Sequence, residues 1–248
     1  MNERMLNVQT ADGRMDLFVA HPDGNGPFPV VVMYHNVGGM SPVMLELARL
    51  VAANGYCCAM PDLYYRLGKV VIDPDSKDPH VLTIRKTLLD SLSDARVMDD
   101  TKAVVDFLRS EPIARKGQMG TVGFCMGGRF AVQAGGIFPD IFTANGSLFG
   151  TRMITDAEDS PHKLLDRLRG EIYFGFAECD TNFTVDKARE FIGLLKEKCS
   201  AKFDAEIHAG AHHGYTFPGR AVYHKEATER SWEKIFAMYK RQLKPNPA

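Results

Sequence analysis

Apolar and polar positions along this chain change rhythm repeatedly, and the changes predict alternating strands and helices. "LNVQT" and "MDLFVA" flank an Asp12-Gly13 turn, which predicts an opening β-hairpin. "FPVVVMYHN" and "YCCAMPDL" are continuous apolar runs, the pattern of strands buried on both faces. Between them, Ser41-Pro42 offers an N-cap and an N1 proline for a helix through Leu45, Leu47, Leu50 and Val51, closed by Gly55. A stretch without clear period, roughly Tyr64 to His80, is expected to be a functional loop. Helical patterns follow, ending in "DDTKAVVDFLRS". The alternation then resumes with strand "GQMGTVGF", a helix from Met126, a strand near "FTANGSLF" and strand "EIYFGF". Helix "TVDKAREFIGLLKEK", strand "AKFDAEIH" and a last helix carrying Trp232, Ile235, Phe236 and Tyr239 complete it. Strands alternating with helices predict an α/β protein, a mostly parallel sheet covered on both faces, and no linker or repeat divides it. Residues 1–248 therefore read as one α/β domain.

Composition narrows the function. The chain has 248 residues, 45% hydrophobic and 25% charged, enough to bury a substantial core. Its 30 basic and 31 acidic residues leave a net charge of −1, with no electrostatic footprint for nucleic acid or a membrane surface. No apolar run approaches the length that spans a bilayer, and the polar N-terminus lacks the features of a signal peptide. Five cysteines, with Cys57 and Cys58 adjacent, do not form a disulfide framework. A reducing cytoplasm is the consistent compartment, and a thiol nucleophile survives there.

In parallel sheets function gathers beyond the carboxyl ends of the strands, so reactive residues just after predicted strands carry the most weight. Gly123-Phe124-Cys125-Met126-Gly127 fits the nucleophile-elbow pattern between a strand and a helix. Glycines let the turn be tight, and the helix starting at Met126 aims its N-terminal amides at the sulfur. A glycine-rich helix–sheet junction with a buried cysteine would look the same. Asp180 sits in "FGFAECD", directly after an apolar strand, where an acid can orient a histidine; Glu178 competes, and a turn or N-cap aspartate is the bland alternative. His213, in "HAGAHHGY", follows the last strand, with His212 beside it and a surface-loop histidine as the ordinary reading. His208, His212 and His213 have no carboxylate or cysteine at a familiar metal-ligand spacing. Nucleophile, acid and histidine at 125, 180 and 213 follow the chain order of an α/β-hydrolase triad, each after a predicted strand.

"PDLYYR" after the second buried strand, "GFCMGG" at the elbow and "AHHGY" at the histidine together resemble the dienelactone hydrolase family. That resemblance implies an α/β-hydrolase fold and a cysteine nucleophile that opens lactones and related esters. It implies Cys125, Asp180 and His213 as the triad, and the backbone amides of Val37 and Met126 as the oxyanion hole. Met126 also follows from elbow geometry alone. Two positions depart from the family. Asn36 stands where the family places a glutamate near the nucleophile, and Phe217 stands where an arginine binds the substrate carboxylate, with Arg220 three residues further on.

The expected chemistry is acyl transfer to water, with no metal or organic cofactor. Asn36, Arg66, Arg85, Tyr215 and Arg220 are the candidate substrate-binding residues, with Tyr64 and Tyr65 as further pocket candidates. The expected partner is a small-molecule ester or lactone, with no nucleic acid and no membrane, and the protein is a monomer or small homo-oligomer. The competing expectation is a non-catalytic or redox-sensing protein that uses Cys125 as a reactive thiol, with Cys179 as its resolving partner.

Overall fold

The N-terminal hairpin turns where Asp12-Gly13 predicts it. In the computed structural model, which describes residues 1–244, β1 (Asn2–Thr10) pairs antiparallel with β2 (Gly13–His21), from Thr10 opposite Gly13 to Asn2 opposite His21. Gly13 takes φ +132°, a conformation that a side chain would resist. The described chain separates into two compact units, Met1–Lys116 and the part from Gly117 onward.

In the first unit, β3 (Val30–Tyr34) and β4 (Cys57–Pro61) are buried at every position, as their continuous apolar runs require. β4 pairs parallel with β3 and antiparallel with β2, so the order is β1-β2-β4-β3. Helix α1 (Pro42–Ala53) starts at the expected proline and packs on β2 and β4. Ser41 makes no side-chain cap, and Gly55 follows the helix at φ +94°. The aperiodic stretch contains one short 3₁₀ turn, Tyr65–Leu67, before α2 (Pro79–Ser91). Asp78 caps α2 by accepting from the His80 N–H at 2.8 Å. α3 (Asp94–Ser110) is separate from α2 and buries Val97, Val104, Val105 and Leu108 on one face, whereas α2 buries Leu88 alone.

In the second unit, β5 (Met119–Phe124), β6 (Phe142–Leu148), β7 (Glu171–Ala177) and β8 (Lys202–His208) run parallel in chain order. Their connections include α4 (Met126–Ile137) and α5 (Val185–Lys198), and α6 (Lys225–Leu243) follows β8. Successive residues of β6 face opposite layers. Asn145 lies against Gly135 of α4, and Gly146 against Ile235 of α6. On the α4–α5 side, Val132, Phe174, Phe176, Phe191 and Leu195 form one buried cluster. Because the four strands are parallel, their carboxyl ends share one edge. Among the described residues, no helix is long and apolar enough to cross a membrane.

Candidate active site

Cys125 stands directly between β5 and α4 with φ 57° and ψ −120°. A non-glycine residue in that region is strained by roughly 1–3 kcal/mol and persists only where its surroundings hold it. Here they do. The Cys125 N–H donates to Leu148 O at 3.1 Å, and the Cys125 carbonyl accepts from Gly128 N at 3.0 Å and Thr151 N at 3.1 Å. The glycines are required by contact as well. A Cβ on Gly123 would come 1.9 Å from Gly127 O, and one on Gly128 would come 2.6 Å from the Gly150 Cα.

Asp180 and His213 come from the ends of β7 and β8. His213 Nδ1 and Asp180 Oδ2 are 2.7 Å apart. The other carboxylate oxygen, Oδ1, accepts from Asn182 N at 2.7 Å and Phe183 N at 3.1 Å. Asp180 is buried, so its two oxygens face fixed donors rather than water. Glu178 points elsewhere and accepts from Gly210 N at 2.8 Å, which ties down the loop that carries the histidine. His212 is exposed, and His208 Nε2 meets the hydroxyls of Tyr173 and Ser231 at 3.2 and 3.1 Å. Among the described residues, no group of three or more His, Cys, Asp or Glu side chains is arranged to hold a metal ion.

The His213 and Cys125 side chains are hydrogen-bonded to each other. Burial alone would push the Cys125 thiol up. The charge of His213, its hydrogen bond and the Met126 backbone N–H outweigh burial and the Asp180 charge, and the thiol is lowered. For His213, burial alone would lower the imidazole; Cys125 and Asp180 reverse it, and the imidazole is raised. Both directions favour a thiolate–imidazolium pair. Iodoacetamide alkylation of Cys125, followed against pH, should therefore have its midpoint below the free-thiol value of about 8.5. In His213→Ala the same midpoint should rise, because burial then acts without its opposing charge. A wild-type midpoint at or above the free-thiol value would contradict the pairing.

The other expected residues have definite partners. Asn36 Oδ1 accepts from Gly38 N at 2.9 Å, closing a turn after β3. The Val37 carbonyl in that loop accepts from the Tyr64 hydroxyl at 3.2 Å. His35, for which no sequence motif predicts a role, accepts from Leu63 N through Nε2 at 3.1 Å and so donates from Nδ1 to Asn36 O at 2.7 Å. Burial lowers its imidazole to about 4, and it stays neutral while joining the loops after β3 and β4. The Arg66 guanidinium is engaged by Asp100 at 2.8 and 3.0 Å and by Asp12 at 2.7 Å. It stacks on Tyr65, whose hydroxyl meets Thr10 and Asp100. Arg66 thus belongs to an ion-pair cluster internal to the first unit. Arg85 on α2 donates to Pro74 O at 3.4 Å. Tyr215 is fully buried and anchors the histidine loop through Ser231 Oγ at 2.8 Å. Arg220 lies 5.3 Å from the Phe217 ring centre and against Gly214, next to His213.

Parallel strands feeding an elbow, an acid and a histidine to one edge make this an α/β-hydrolase. Solved structures share the architecture. One from Klebsiella pneumoniae has a TM-score of 0.85 at 22% identity, covering 97% of this chain and 98% of its own. The dienelactone hydrolase-like promiscuous phosphotriesterase P91 from metagenomic libraries has a TM-score of 0.77 at 18% identity, covering 98% and 99%. The sequence model of the dienelactone hydrolase family matches residues 15–243, and the chain belongs to that family, a family of hydrolases acting on lactones or esters. A carboxymethylenebutenolidase homolog from Mus musculus is 30% identical over 186 residues, 75% of this chain and 69% of its own.

Proposed function

We propose that the protein hydrolyses a small lactone or carboxylic ester through a Cys125–His213–Asp180 triad and a thioester intermediate. The observation that carries this reading is the continuous hydrogen-bonded line from the sulfur through the imidazole to the carboxylate, on one edge of a parallel sheet. The Cys125 thiolate attacks the carbonyl carbon and the carbonyl π electrons move to oxygen. The Met126 N–H, which leads α4 and stands against the Cys125 sulfur, would donate to that oxyanion, a contribution of about 3 kcal/mol. Val37 N–H is the second donor, an assignment that rests on the family pattern. When the tetrahedral adduct collapses, the C–O bond breaks and His213 protonates the departing alkoxide. In a lactone that alcohol stays tethered to the acyl group. His213 then takes a proton from water as its oxygen attacks the thioester; the adduct collapses, the C–S bond breaks to restore the thiolate beside protonated His213, and the acid product loses its proton to solvent. Asp180 keeps the ring in the tautomer that performs both transfers.

The family match runs through both units, which supports reading residues 1–248 as one catalytic domain. Five free thiols support a reducing, cytoplasmic setting. Near-neutral net charge supports a small-molecule partner rather than nucleic acid or membrane. A monomer or small homo-oligomer completes the proposal.

An activated aryl ester should leave an acyl adduct whose intact mass maps to Cys125 after rapid acid quench. Turnover with the adduct on any other residue would overturn the assignment. Absence of turnover, with peroxide driving a Cys125–Cys179 disulfide, would favour the redox-sensing alternative.

A further inference from the structure

Four parallel strand ends meet at the catalytic edge, and three of them supply Cys125, Asp180 and His213. The fourth, that of β6, supplies Phe149. We propose that Phe149 is a positioning residue that fixes the plane of the His213 ring; the inference rests on the assignment of His213 as the proton-transfer group.

The backbone is the first indication. Phe149 has φ 39°, in the left-handed region that a bulky side chain rarely adopts. The loop is held there by Phe149 N donating to Gly175 O at 2.7 Å and Thr151 N donating to Cys125 O at 3.1 Å. The same short loop is thereby tied to β7 and to the elbow. A Cβ on Gly150, the next residue, would meet Ser147 Oγ at 2.6 Å and the Met153 sulfur at 2.9 Å, so the turn cannot easily relax.

The ring is the second. It is fully buried and stands edge-to-face with His213, centroids 5.1 Å apart and planes at 73°. It meets Tyr215 at 5.2 Å and Phe217 at 5.5 Å in the same manner, and Phe124, the residue before the nucleophile, at 6.2 Å. One side chain therefore touches the histidine, its loop and the end of the nucleophile strand.

Geometry gives the contact its purpose. Asp180 holds Nδ1, and the other hydrogen bond of the imidazole goes to the sulfur. The ring turns about its Cβ–Cγ bond, a soft torsion, and its two hydrogen bonds oppose that rotation. The edge-to-face contact with Phe149 adds packing that opposes the same rotation and holds the plane. If the ring rotates, both hydrogen bonds bend, and they weaken steeply as they do so.

The test compares Phe149→Leu, which keeps apolar bulk, with Phe149→Tyr, which keeps an aromatic plane; Phe149→Met replaces the leucine variant if that fails to fold. The leucine variant should lose roughly 10–100-fold in kcat, the scale of a small misplacement, with KM within about twofold. Its Cys125 alkylation midpoint should rise by about one pH unit as the imidazolium contact loosens. The tyrosine variant should stay within about threefold of wild type on both measures. Wild-type kcat and midpoint in the leucine variant, or equal losses in both variants, would overturn the proposal. Because alkylation needs no substrate, its midpoint decides the matter even if the proteins turn over none of the esters tried.

Discussion

Cys125→Ala should lower kcat on the order of 10⁴-fold or more for every ester or lactone the protein hydrolyses, while its circular dichroism stays that of wild type. Alanine removes the sulfur on which the proposed thioester would form. Its backbone must take the same strained φ and ψ, which the hydrogen bonds to Leu148, Gly128 and Thr151 still enforce. The backbone N–H of residue 126, the proposed oxyanion donor, is untouched by the substitution, so a small residual rate over water is expected. Cys125→Ser is a sharper comparison. A hydroxyl ionises far less readily than a thiol, so the thiolate–imidazolium pair that lowers Cys125 and raises His213 has no counterpart. Serine should recover only a small part of the loss. Full activity in either variant, measured across a panel of lactones and aryl esters, would move the nucleophile elsewhere.

Asp180→Asn should cost on the order of 10⁴-fold in kcat, although it is nearly isosteric. The asparagine carbonyl can still accept from the Asn182 and Phe183 amides, which leaves its NH₂ facing His213 Nδ1. A donor there selects the tautomer with its proton on Nε2, the wrong nitrogen for drawing a proton toward the imidazole. His213→Ala should lose a comparable amount, and the double variant should be little worse than either single one, since the residues act as a unit. Glu178→Gln keeps an oxygen for Gly210 N, and His212 is exposed, so Glu178→Gln and His212→Ala should each stay within about threefold of wild type. Steady-state kinetics on the five variants checks the ranking. A reversed order within either pair would reassign the acid or the base.

The sheet strands were readable because burial on both faces writes itself as unbroken apolar sequence, as in "PVVVMY" and "YCCAM". The elbow was readable because its tight turn requires glycine at fixed places. Strand order was not, since nothing local tells β4 to lie between β2 and β3. No proline or glycine marks the break at Leu92-Ser93 that separates α2 from α3, so its position is not legible either. Arg66 looked like an open anchor for an anion, yet its partner Asp100 is 34 residues away and only the folded chain brings them together. Asn36 carried a usable signal, because asparagine two residues before a glycine commonly folds its side chain onto its own loop. Phe149 carried none. Left-handed backbone is read from glycine or asparagine, and a phenylalanine there is visible only as a dihedral angle.

The side-by-side thiols of β4 add something that has nothing to do with catalysis. Cys57 and Cys58 are fully buried in the first unit, and burial pushes both thiols up, Cys57 to about 12. A small thiol reagent can reach them only during moments when that strand separates from its neighbours. Their labelling rate, divided by that of an unstructured thiol, therefore gives the equilibrium constant for opening the interior of the first unit. Cys179, exposed in the second unit, supplies an accessible thiol on the same polypeptide for comparison. Without a single engineered probe, the native chain can thus be used to learn whether its interior opens in fragments or all at once.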